Sequence, residues 1–105
     1  MPRSTFIDAR FVDDARHISR YISDANPEAA VRFSEAVADA LDLISKMPFV
    51  GPPFRSKEKK LSGMRKFVVP GFRNYSIYYR FREQNVVILR LVDGRRFVIQ
   101  VLLEE

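Results

Sequence analysis

A chain of 105 residues with 47% hydrophobic and 30% charged side chains has the size and composition of one globular domain over residues 1–105. It contains no cysteine and one histidine, His17, which excludes a disulfide framework, thiolate chemistry and a histidine-rich metal site. The net charge of +5 is uneven: residues 1–46 hold six Lys/Arg against eight Asp/Glu, residues 47–105 hold twelve against five, and the stretch 55–82 has nine basic residues against Glu58 alone. Such a concentration suits an anionic partner, either nucleic acid or an acidic protein segment, or else it is a solvated basic loop.

No run approaches the ~18 apolar residues of a membrane span. The N-terminal MPRSTFIDARFVDDAR has acidic residues where a signal peptide needs an apolar run. A cytoplasmic protein without membrane attachment, cofactor or metal is expected.

Residues 3–7 (RSTFI) are a short strand candidate, and Asp8 can cap the helix that follows. From 9 to 25, Val12, Ala15, Ile18, Ile22 and Ala25 recur every three or four residues, the apolar face of an amphipathic helix. Asn26-Pro27 ends that helix and starts another, because proline disfavours the helical region for the residue before it and suits the first helical position itself. The second helix is expected over 27–46, with Ala30, Phe33, Val37, Leu41 and Ile44 as its stripe and Met47-Pro48 as its stop. The two form a helical hairpin. Residues 49–63 (FVGPPFRSKEKKLSG) read as a long loop, of a kind that is often functional or mobile.

The remainder reads as four strands: 64–69, 72–82, 86–92 and 96–103, with turns at Pro70-Gly71, at 83–85 and at Asp93-Gly94. Short turns make consecutive strands antiparallel. The expected order is β–α–α–β–β–β–β, an α+β fold with the helical hairpin on one face of an antiparallel sheet. Within GFRNYSIYYRF (71–81), alternation sends Tyr75, Ile77, Tyr79 and Phe81 to the core and leaves Asn74, Ser76, Tyr78, Arg80 and Arg82 facing outward. Tyr78 then stands as an exposed aromatic among guanidiniums, fit to stack on a base, to anchor a protein contact or simply to cover the sheet. Residues 86–92 are apolar on both faces, with Val87, Leu89 and Leu91 on one and Val86, Ile88, Arg90 and Val92 on the other. This predicts a central strand or a groove on the open face.

An ordered series of residues resembles the RelE/ParE superfamily of bacterial toxins from type II toxin–antitoxin systems. It comprises Arg20-Tyr21-Ile22, Asn26-Pro27 with Ala29-Ala30, Phe33, Met47-Pro48 with Gly51, and Leu61-Ser62-Gly63-Met64-Arg65. It continues with YSIYYR (75–80), VILRLV (87–92) and Gly94-Arg95-Arg96. The resemblance implies a toxin neutralised by a wrapping antitoxin, with operator DNA bound only through the antitoxin. RelE-like members cleave messenger RNA on the ribosome; ParE-like members poison DNA gyrase. On the RelE pattern Lys66 and Arg96 match basic site positions. Val68 stands where a second lysine is expected, Ser76 where an arginine is expected and Leu102 near the C-terminal tyrosine position. His17 lies on the first helix, away from that pattern. Cleavage needs placed acid–base groups and cations, so this pattern favours the ParE-like side, although Phe97 replaces the acidic residue that often follows the paired arginines. The alternatives are a RelE-like nuclease using Lys66, Arg80 and Arg96 helped by Tyr78, or a degenerate toxin that only binds antitoxin. The surface expected to meet target or antitoxin comprises Lys66, Tyr78, Arg80, Arg82, Arg90, Arg95 and Arg96.

Overall fold

Local signals set the element boundaries in the computed structural model, which describes residues 4–104. Strand β1 (Ser4–Ile7) leads into Asp8, whose carboxylate accepts the Arg10 N–H at 2.8 Å and opens helix α1 (Ala9–Ala25). Asn26 serves two helices. Its N–H donates to the Ile22 carbonyl, closing α1, and its side chain accepts the Ala29 N–H at 3.1 Å, opening α2 (Pro27–Lys46) with Pro27 in the first turn. A short 3-10 turn (Lys59–Leu61) interrupts the long loop. Strands β2 (Arg65–Val68), β3 (Tyr75–Arg82) and β4 (Asn85–Asp93) follow, and a short helix, α3 (Val98–Leu103), ends the chain. Arg3, expected in the first strand, lies outside the described residues.

The sheet order is β1-β4-β3-β2. β2, β3 and β4 run antiparallel, whereas β1 pairs parallel with β4, so the sheet is mostly rather than wholly antiparallel. Glu83 and Gln84 both have positive φ (53° and 68°), the geometry of a two-residue hairpin whose twist matches the flanking strands.

The expected last strand, 96–103, is a helix. β4 already has β3 on one side and β1 on the other, so no edge beside it is left for another strand. As a helix, the segment brings Val98, Val101 and Leu102 onto one face, packed with Leu61, Met64, Tyr78 and Val92.

The helical hairpin covers the opposite face. Phe11, Phe33, Val37, Ala40 and Ile44 pack there against Tyr75, Ile77, Tyr79, Val86, Ile88 and Leu91. This confirms the core assignment of Tyr75, Ile77 and Tyr79, with Phe81 half-buried at the margin. It corrects the alternation expected in β4. Tyr79 pairs with Ile88 but Tyr78 pairs with Arg90, so Leu89 is an extra residue in a β-bulge. Beyond a one-residue insertion the faces exchange: Val86, Ile88 and Leu91 share the hairpin side, while Leu89 and Val92 face α3.

The face expected to be open is also covered. Phe54 from the long loop meets Tyr78 edge-on at 5.3 Å, and α3 closes over Val92. Tyr78 is 1% exposed and Ser76 is buried, so neither faces outward as alternation predicts. Parity assigns side chains to a face but is silent on what later covers it.

Candidate partner-binding surface

The seven residues singled out from the sequence fall in three places, of which the second and third border one cleft. Around β2 and the 3-10 turn, Arg80 donates from Nε to the Ser62 carbonyl (3.1 Å) and from its terminal nitrogen to that of Lys60, while Arg82 donates to Ser62 at 3.1 Å. Both guanidiniums thus tie the loop to β3. Burial, with Arg82 nearby, lowers the Arg80 pKa from its usual value. Lys66 lies opposite Tyr78 in the register and makes no side-chain hydrogen bond among the described residues. Tyr78 lies beneath this region, and burial pushes its hydroxyl up to about 12.

Arg90 occupies the second place. Its Nε and a terminal nitrogen grip the Asp14 carboxylate at 2.7 and 2.9 Å, and the same carboxylate accepts the Leu91 N–H at 3.0 Å. The other terminal nitrogen donates to the Val101 carbonyl (3.0 Å) and Glu104 (3.3 Å). With only 11% of its side chain exposed, Arg90 joins α1, β4 and α3 instead of facing a partner. The hydrogen bonds it donates to the Asp14 carboxylate raise its pKa from the usual value. Removing one member of so buried a pair leaves an uncompensated charge.

Arg95 and Arg96 occupy the third place, the turn after β4. Arg95 chelates Asp93 (2.9 and 2.8 Å) and reaches the Tyr75 hydroxyl at 3.4 Å, with about half its side chain in solvent. Arg96 is exposed, and its side chain makes no hydrogen bond among the described residues. It lines a cleft of about 160 Å³ with Asp14, His17, Arg90, Asp93 and Glu104. Three carboxylates oppose two guanidiniums there, so this cleft is no ready anion site. His17 sits exposed on the rim.

The length of β3 separates the first place from the third. Tyr75 pairs with Asp93 at one end and Arg82 with Asn85 at the other. Arg80 and the arginine turn are therefore roughly 17 Å apart along the strand, at ~3.3 Å per residue. Val68 is exposed at the β2 edge, Ser76 is buried and Leu102 lies on α3. Among the described residues no group of His, Cys, Asp or Glu could hold a metal, and no helix is long and apolar enough to cross a membrane.

A feature the sequence left as loop is the turn at residues 47–51. The Val50 N–H donates to the Met47 carbonyl at 2.9 Å. The buried Tyr79 hydroxyl donates to the Pro48 carbonyl (2.8 Å) and accepts the Gly51 N–H (2.9 Å). A side chain at Gly51 would place its Cβ 2.8 Å from that hydroxyl and 2.9 Å from the Lys66 carbonyl, which requires glycine. The turn holds Met47 and Phe49 out in solvent. The order Met-Pro-x-x-Gly was visible in the sequence, but not the tyrosine that clamps it.

A helical hairpin on one face of a mostly antiparallel sheet makes this a small α+β fold. The same fold occurs in the solved structure titled "Chromosomal ParDE TA system from P. aeruginosa", with a TM-score of 0.72 and 16% identity over 88% of this chain and 96% of that one. The family model described as the ParE toxin of type II toxin–antitoxin system, parDE, matches residues 6–97. The chain belongs to that family. No curated protein matches it by sequence.

Proposed function

We propose that the protein inhibits growth by binding and poisoning DNA gyrase in the cytoplasm, and that a cognate antitoxin neutralises it. The observation carrying this reading is the dispersal of the cations. A phosphodiester-cleaving site needs acid–base groups and charge stabilisers within hydrogen-bond reach of one reacting phosphate. Arg80 and Arg96 lie at opposite ends of β3, Tyr78 is buried between the sheet and its cover, and Arg90 is held by Asp14. Such an arrangement suits a binding surface better than a catalytic centre. Arg96, exposed and with no side-chain hydrogen bond among the described residues, is its most available charge; Lys66 is half-buried, Arg95 is held by Asp93, and Arg80 and Arg82 support the surface by fixing the loop.

Purified toxin at micromolar concentration is expected to inhibit gyrase supercoiling and to accumulate gyrase–DNA cleavage complexes. No effect on either would remove gyrase as the target. Primer extension on ribosome-bound message tests the nuclease alternative: cuts that disappear with Arg96→Ala would favour it over gyrase.

A further inference from the structure

Large apolar side chains exposed at a surface and held rigid are the usual anchors of protein interfaces. Phe49 is 68% exposed and Met47 57%. They stand two residues apart on the turn clamped by Tyr79. The Phe49 ring meets Phe81 edge-on at 5.3 Å, and the Arg65 guanidinium lies over it at 4.8 Å from the centroid. Arg65 is itself fixed by donating to the Gly51 carbonyl at 2.6 Å. Backbone, ring and guanidinium are thus ordered before any partner arrives, which lowers the entropy lost on binding.

We infer that this turn is a docking point for the antitoxin, through an acidic segment whose apolar side chain seats on Met47 and Phe49 while its carboxylates meet Arg65 and the neighbouring basic tract. The inference rests on the antitoxin reading above. Charge complementarity selects the acidic partner, since residues 55–82 hold nine basic residues against Glu58. A protein fits better than a nucleic acid. Arg65 lies over one face of this ring and Phe81 meets it edge-on, which leaves less of it open to stacking by a base, and the exposed Met47 two residues away adds a flexible apolar surface suited to an apolar side chain. The apolar strand at 86–92, which also suits such a partner, is closed off by α3 and the loop. Phe97 is more exposed, at 80%, but no aromatic or cationic contact holds it among the described residues.

The test measures binding of purified toxin to its cognate antitoxin by biolayer interferometry. Phe49→Ala is expected to raise the dissociation rate at least about tenfold while the association rate stays within about twofold, as loss of a central anchor does. Met47→Ser, whose side chain takes no part in the clamp, is expected to raise it by about threefold or more. This second variant also decides the matter should Phe49→Ala not fold, which thermal melting would reveal. If the wild-type toxin fails to bind antitoxin, the antitoxin reading fails and this inference with it. If wild type binds and both variants dissociate at the wild-type rate, the docking point alone is overturned. Unchanged antitoxin kinetics with lost binding to a fluorescein-labelled single-stranded oligothymidylate, or with lost growth inhibition, would also overturn it, placing a nucleic acid or the target on the turn.

Discussion

Single polar atoms do much of the organising in this small chain. One tyrosine hydroxyl, that of Tyr79, fixes both sides of the 47–51 turn, and one carboxylate, that of Asp14, fixes Arg90 and the backbone beyond the bulge. Neither pairing was legible in the sequence. Asp14 is one of two adjacent aspartates on an amphipathic helix, and its partner lies 76 positions away. Asp93 and Asp8, by contrast, bind arginines two residues along. Arg95 holds the Asp93 carboxyl below its ordinary value, chiefly by side-chain hydrogen bonds and against the effect of burial, and Arg10 does the same for Asp8. A carboxyl more acidic folded than unfolded stabilises the fold fully above its unfolded value of 3.8 and ceases to as the pH falls through its folded value. Because Arg95 is half in solvent, the Asp93 contribution is under about 1 kcal/mol. The melting temperature is therefore expected to drop as the pH falls below about 4, and the gap between wild type and Asp93→Asn to narrow there. A gap that stays constant from pH 7 to pH 2.5 would contradict this.

The elements divide into those whose ends carry chemical signals and those decided by neighbours. α1 and α2 have the boundaries that Asp8, Asn26-Pro27 and Met47-Pro48 predict, because caps act within a few residues. The bulge at Leu89 has no such signature. A single extra residue among valines, isoleucines and leucines changes no pattern until its partner strand is known. α3 departs from the expected strand for a related reason: FVIQVLL has strand-like composition, and the occupied edges of β4 decide against that. No side chain caps α3 at its start, and six residues are too few for independent helix stability. Its contacts with Tyr78 and Val92, and the bonds from Arg90 to the Val101 and Arg10 to the Glu104 carbonyl, hold it in place. Val101→Asp is expected to cost about 1–3 kcal/mol in urea unfolding, by placing a charge against this half-buried cluster. Increased binding of a hydrophobic dye would report the exposed face. A variant as stable as wild type would show that α3 does not cover the sheet in solution.

At the scale of the whole molecule, acidic and basic charge are separated. The helical hairpin carries an excess of acidic residues and the loop–sheet half an excess of basic ones, so an acidic partner is steered to one side as it approaches. Antitoxin association is expected to slow as salt rises, by about tenfold or more between 50 and 500 mM, with dissociation changing less. Equal association rates at both concentrations would refute this steering. The α+β class and the distribution of charge were readable from composition and periodicity alone, since both are sums over many residues. Which cations remain available was not readable, because that depends on carbonyls and carboxylates brought near by folding, as at Arg80, Arg82 and Arg90.

The parallel pairing of β1 has a consequence for synthesis. Ser4 pairs with Asn85 and Ile7 with Ile88, and the Asp8 N–H bonds to the Ile88 carbonyl. Strand β1 is made well before β4 and must wait for it, and contacts so distant in sequence form late. Until then the helical hairpin has only the β2–β3 pair to pack on and lacks Val86, Ile88 and Leu91, the β4 part of the core that buries Phe11, Phe33 and Ile44. A chain interrupted before Asn85 lacks the partner for its own beginning, so a prematurely terminated product is expected to be an unfolded polypeptide, open to proteolysis, rather than a partial toxin.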